Sequence, residues 1–260
     1  MVPKIERARS NAPVAARYNR EMRNWIGILL LVFCPALYAQ SAETRLFEAI
    51  DEGKPLVAEG VLARSKVNLN ARNAEGETPL HRAVEKGMRE LAQMLLRAGA
   101  EANARSRSGE TPLHLAALHS EPAFAELLLG AGADAKTRNE HGESPLHWAA
   151  LAGNPLTLQR LLERGADPNV RDRNGNLPLH GAADGGHDVV VKMLLPRTGD
   201  PRARNSEGHT PSDIARDRGY VQLAKVLEGA PAGKPAEQPS AQGFGTIDID
   251  DPRHPRFHRQ

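Results

Sequence analysis

Cysteine is almost missing from this chain of 260 residues: Cys34 stands alone, so no intramolecular disulfide can form. Aromatic residues make up only 4%, and any core must therefore be assembled mainly from Leu, Ala and Val. Neither sign of charge dominates. The 34 basic and 32 acidic residues leave a balance of +2, which gives little electrostatic reason to expect nucleic acid as a partner. The chain also has no G-x-S-x-G elbow, no H-E-x-x-H pair and no phosphate-cradling glycine loop. Its carboxylates form no cluster outside the repeated pattern described below, so no catalytic residue, cofactor or metal site is expected. A thin aliphatic core suits an architecture in which short units bury their faces against one another.

Long apolar runs are absent as well, with one exception. Trp25 to Cys34 reads WIGILLLVFC, preceded by Arg17, Arg20 and Arg23 and followed by Pro35 and ALYAQSA. That is the order of a secretory signal, and the run is shorter than the roughly 20 apolar residues a membrane-spanning helix needs. Residues 1–39 are accordingly predicted to be a signal peptide cleaved after Ala39. Met22 makes a tidier start than Met1, because signals seldom carry so long a polar extension. An uncleaved N-terminal membrane anchor is the alternative. A lipidation box at LVFC is a further one, although Phe33 stands where a small residue is expected. Loss of residues 1–39 removes Cys34, lowers the basic count to 28 and the acidic count to 30, and turns the balance to −2. A cysteine-free, nearly neutral mature chain suits an oxidising compartment. A periplasmic or secreted location follows, with no stable membrane insertion after cleavage.

The remainder is periodic. GETPLH at Gly76–His81 returns as GETPLH at Gly109–His114, as GESPLH at Gly142–His147 and as GNLPLH at Gly175–His180. The same 33-residue step aligns Leu80, Leu113, Leu146 and Leu179, and also Ala83, Ala116, Ala149, Ala182 and Ala215. A second leucine column runs Leu95, Leu128, Leu161, Leu194 and Leu227. Thr78 suits an N-cap and Pro79 the first helical position. Leu80, Ala83 and Val84 then fall at helical spacing up to Gly87, and a second helix is predicted over about Arg89–Arg97. A polar, turn-rich run leads to the next copy.

This pattern resembles the ankyrin repeat, whose signature is T-P-L-H-x-A at a period of 33. The resemblance covers residues 42–229. It implies an all-α solenoid with short β-hairpin turns, in which repeats 73–105, 106–138, 139–171 and 172–204 lie between degenerate caps at 42–72 and 205–229. Three places depart from the pattern. Ser120 replaces the glycine between helices. Leu177 replaces the capping Thr or Ser, at a cost of about 1 kcal/mol. Thr198 takes the slot of Gly99, Gly132 and Gly165, and because a β-branched residue tolerates positive φ poorly, Gly199 is predicted to take the turn instead. Residues 230–260 have the composition of a disordered tail, whose Phe244, Ile247 and Ile249 could dock on the last repeat. His254 and His258 have metal-like spacing but lie among Pro252 and Pro255, in a segment that cannot hold a helix.

His81, His114, His147 and His180 look chemical at first sight. Stacked helices sit roughly 8–10 Å apart, whereas zinc ligands must all lie about 2 Å from one ion. The resemblance gives this histidine a structural role, bracing the turn near the Thr of its own motif. It also implies a non-catalytic module that binds another protein through hairpin tips and a concave face of first helices. Carried onto this sequence, the candidate contacts are Arg72, Glu77, Arg105, Glu110, Leu118, His119, Arg138, Glu143, Trp148, Leu151, Arg171 and Asp184. The arginine column reads either as pairing with neighbouring glutamates or as a ladder for a partner's carboxylates. Leu118, His119, Trp148 and Leu151 would give the groove an apolar centre, although Trp148 also reads as a core residue. The module is expected to be monomeric. Its role is that of a helper to a periplasmic enzyme or of an inhibitor or immunity protein, and the alternative is an intracellular or anchored scaffold or a host-directed effector.

Overall fold

The computed structural model describes residues 41–231, and the predicted signal and tail lie outside them. Twelve α-helices follow one another in pairs: α1 (Ala42–Asp51) and α2 (Pro55–Arg64), α3 (Pro79–Glu85) and α4 (Arg89–Arg97), and α5 (Pro112–Leu118) and α6 (Ala123–Gly130). The remaining pairs are α7 (Pro145–Ala152) and α8 (Pro155–Glu163), α9 (Pro178–Asp184) and α10 (Asp188–Leu194), and α11 (Pro211–Asp217) and α12 (Val221–Glu228). Each first helix packs on the first helices of the neighbouring units, and among the second helices α2 meets α4, α6 meets α8 and α8 meets α10. This is the helical-repeat solenoid that the 33-residue period implies. The described residues contain no β-strand. Each hairpin is a tight turn, in which Asn73 N–H bonds Glu77 O and Gly76 N–H bonds Asn73 O.

Local sequence explains the helices. Proline opens all five first helices from α3 onward, where its missing N–H leaves nothing unsatisfied. Leu80, Leu113, Leu146 and Leu179 are fully buried, each contributing about 1.5–3 kcal/mol relative to exposure. Ala83, Ala116, Ala149 and Ala182 are equally buried and small enough to let first helices approach. Between α7 and α8 the step from first to second helix needs a left-handed residue, and Gly153 supplies it at φ 72°.

The units are tied together by polar contacts that recur with the period. Hairpin tips join through Arg107 N–H to Glu75 O, Glu140 N–H to Ser108 O, Arg173 N–H to His141 O and Ser206 N–H to Asn174 O, all at 2.8 Å. At the other end of the units, carbonyls near the end of a first helix receive a side chain from the following unit. His119 Nε2 reaches Val84 O at 2.7 Å, Asn154 Nδ2 donates to Ala117 O at 2.8 Å, and His187 Nε2 reaches Leu151 O at 2.9 Å. Helix ends leave such carbonyls without intrahelical partners, so these side chains act as C-caps supplied by a neighbour.

One of the irregular positions resolves differently from expectation. Gly199 does not take a left-handed turn. Helix α10 tightens into a 3₁₀ turn at Leu195–Arg197, and Thr198 adopts an extended φ of −85°. The Thr198 hydroxyl and N–H both bond Leu194 O, at 3.0 and 2.9 Å, while Gly199 N–H goes to Asn169 Oδ1 at 2.7 Å. A 3₁₀ turn followed by a back-bonding hydroxyl removes the need for positive φ. Leu177 has no oxygen with which to cap, but it keeps half of the motif: its N–H donates to His180 Nδ1 at 3.0 Å. Its side chain is buried. At Ser120 the chain passes through an extended His119 with no left-handed residue at all.

Candidate partner-binding groove

The repeated histidine is scaffold, and its bonding is fully specified. His81 Nδ1 accepts the Thr78 N–H at 3.1 Å and lies 2.9 Å from the Thr78 hydroxyl, while Nε2 faces Glu110 O of the next unit at 3.1 Å. An acceptor at Nδ1 and a carbonyl at Nε2 together require the neutral ring with its hydrogen on Nε2. His114 repeats this with Thr111 and Glu143 O, and His147 with Ser144 and Asn176 O. Burial drives the pKa of His81 and of His114 down to about 4 and lowers those of His147 and His180. Each ring thus braces its own turn, as expected; His81, His114 and His147 also clamp the following unit, whereas His180 Nε2 faces Ala203 O of its own repeat at 3.1 Å. Among the described residues, no group of three or more His, Cys, Asp or Glu is arranged to hold a metal ion.

The arginine column does not pair with neighbouring glutamates. Arg72 donates to Gly76 O at 2.7 Å and to Arg105 O. Arg105 donates to Arg138 O at 2.7 Å, and Arg138 to Gly142 O at 2.8 Å and to Arg171 O. Arg171 donates to Gly175 O and Arg204 O, at 2.7 and 2.9 Å. Each guanidinium therefore links its own hairpin to the backbone one repeat on. Carbonyls of successive hairpins lie within reach of its planar fork, and the glutamate side chains are engaged elsewhere. Glu77 accepts from Asn73 Nδ2 and stands 3.6 Å from Arg82. Glu143 accepts from Asn139 Nδ2 at 2.8 Å, and Glu110 is half-buried, its backbone carbonyl facing His81.

Four of the candidate contacts converge. Glu143, Trp148, Leu151 and Asp184 line one cavity of about 370 Å³ on the first-helix face of the last three units. Its origin lies in one column. The slot holding Arg82 in α3 and Leu115 in α5 holds Trp148 in α7, Gly181 in α9 and Ile214 in α11. A missing side chain at Gly181 between two large ones opens the space. Leu151 is 50% exposed at its edge, and Leu118 in the preceding unit 51%. Trp148 is neither core nor free. It is half-buried, meets His114 edge-on at 5.5 Å between ring centres, and donates from Nε1 to Glu143 Oε2 at 2.9 Å. His119 is committed to Val84 O and packs against Phe124 at 4.7 Å. Asp184 accepts from Arg218 Nε at 2.6 Å.

The sequence did not single out Ile214, Asp172, Glu207, Asp217 or Arg218, all of which also line the cavity. The slot column was the available signal, since a site shared by Arg, Leu, Trp and Gly cannot be uniformly buried. Around the apolar floor stand the carboxylates Glu143, Asp172, Asp184, Glu207 and Asp217 against the single guanidinium of Arg218. The other end of the face is balanced by comparison: Arg82 fills its slot and bonds Asp51 at 2.6 Å as well as Glu85.

A family model for ankyrin repeats in three copies matches residues 15–106, 46–139, 95–172 and 146–233 in overlapping placements. No curated protein matches the chain.

Proposed function

The chain belongs to the ankyrin-repeat family, an array that typically binds other proteins, and from that premise we propose that its ligand is a protein seated in the groove over units 4 to 6. The observation that carries this reading is the gap at Gly181, flanked by Trp148 and Ile214 and edged by the exposed Leu151. An apolar centre inside a polar rim is how interface hot spots are usually organised. The hairpin arginines support the reading in a second way. With one or two of their five donors used on backbone carbonyls, they are held in place with N–H groups to spare.

We further propose that the module works outside the cytoplasm after loss of residues 1–39, as the order of charges and apolar residues around Trp25–Cys34 suggests. Partner capture there has the character of assisting or restraining another protein, with no chemistry of its own. Among the described residues, no helix is long and apolar enough to cross a membrane.

Site-specific photo-crosslinking in the native cell tests the groove. A photoreactive residue at Leu151 should give a discrete protein adduct, and the same residue at Gln159, exposed on α8, should not. Adducts from Gln159 alone, or from neither position, would overturn the reading. N-terminal sequencing of the processed protein tests export separately: a start at Gln40 supports it, and an intact Met1 or Met22 sinks it.

A further inference from the structure

We propose that the acidic groove over units 4 to 6 docks this chain's own C-terminal segment, residues 252–259. The proposal shares with the preceding reading only the premise that the groove takes a ligand. Five carboxylates against one guanidinium line the cavity, and Asp217 is exposed with no hydrogen-bond or ion-pair partner among the described residues. Such a site favours a cationic segment that also carries an apolar side chain for the floor of Trp148, Leu151 and Ile214.

The chain supplies one. Residues 252–259 read PRHPRFHR, with Arg253, Arg256 and Arg259, a single aromatic in Phe257 and no acid. Just upstream, Asp248, Asp250 and Asp251 would be repelled by the same rim, which fixes where the docking segment begins. Position favours it too. The tail leaves from the unit whose Ile214, Asp217 and Arg218 line the cavity, immediately after α12 ends at Glu228. One eight-residue helix spans about 12 Å, so the cavity lies within a few helix widths of the point of departure. The residues between Pro231 and Arg253 reach roughly 25 Å even as a random coil, and a tether of that length keeps the local concentration of the segment high. Occupancy by the tail would compete with a partner for the same surface.

The test replaces Phe257 with photoreactive benzoylphenylalanine in the full chain and maps adducts by mass spectrometry at low protein concentration. The proposal expects intramolecular adducts within 143–151, 177–184 or 207–218. Their yield should fall about tenfold in ~0.5 M salt or when Glu207 and Asp217 are changed together to Lys. Both of those side chains are exposed, so the unfolding midpoint should hold. Adducts scattered over second helices, adducts only between two copies, or a yield indifferent to both perturbations would each overturn the proposal. As a second readout, Phe257→Ala should increase the access of a soluble quencher to Trp148, and unchanged access would contradict the proposal.

Discussion

A buried histidine with one acceptor and one donor nitrogen is the smallest unit of this fold, and it makes the array sensitive to acid. In the unfolded chain a histidine titrates near pH 6.5. In the folded chain burial holds His81 and His114 at about 4 and lowers His147 and His180. A depressed folded value means the unfolded chain binds more protons below 6.5. The contribution is therefore complete above that pH and is lost as the pH falls toward 4. Between pH 7 and pH 5 each histidine held near 4 costs about 2 kcal/mol. Thermal unfolding at constant ionic strength should show a clearly lower midpoint at pH 5, and equal midpoints would contradict this. Glu43, Glu163 and Asp213 are also lowered, but they titrate below that window. The Thr157 hydroxyl is the one buried side-chain polar atom among the described residues without a hydrogen-bond partner. Thr157→Val should raise stability by about 1 kcal/mol, read from a denaturant midpoint. At this scale the sequence was only half legible. The histidine's own Thr lies three residues away and could be inferred, whereas its second partner sits 29 residues on. The arginines misled for the same reason, since a carbonyl acceptor one repeat away leaves no mark in the sequence.

At the scale of elements, the cap at the end of the row shows why a column changes. Asp213 stands where the inner units have histidine, in the last unit, which has no following unit to offer a carbonyl to a ring Nε2–H. Its carboxylate needs none. Oδ2 accepts the Thr210 N–H at 3.0 Å and the Thr210 hydroxyl at 2.7 Å, and Thr210 Oγ1 accepts the Asp213 N–H at 3.2 Å. Asp213→His should therefore destabilise the array by about 1 kcal/mol, the usual value of a cap, although it restores the repeated motif. A rise in the unfolding midpoint would refute this account of the cap. Helix bounds were readable because proline and glycine fix them locally, as at Pro79–Glu85 and Arg89–Arg97. The Thr198 turn was not, because a 3₁₀ ending and a back-bonding hydroxyl compete with glycine on nearly equal terms.

For the whole molecule, the period of 33 was enough to read the solenoid, since a unit that cannot bury its apolar face alone must stack. The groove was read only in part. Trp148 and Leu151 could be placed on it, but the cavity depends on what is missing at Gly181 between units that the sequence separates by a full repeat. That position offers the most direct test of the claim that a partner sits there. The three atoms nearest a Cβ at Gly181 all belong to Leu151, at an ordinary contact of 3.5 to 3.6 Å, so the backbone there has room for a Cβ, and a larger side chain would extend toward the cavity that Gly181 lines. With the protein captured through Leu151 as ligand, calorimetry on Gly181→Leu should show affinity at least about tenfold weaker with an unfolding midpoint no lower than that of the parent chain. Undiminished affinity would contradict the account.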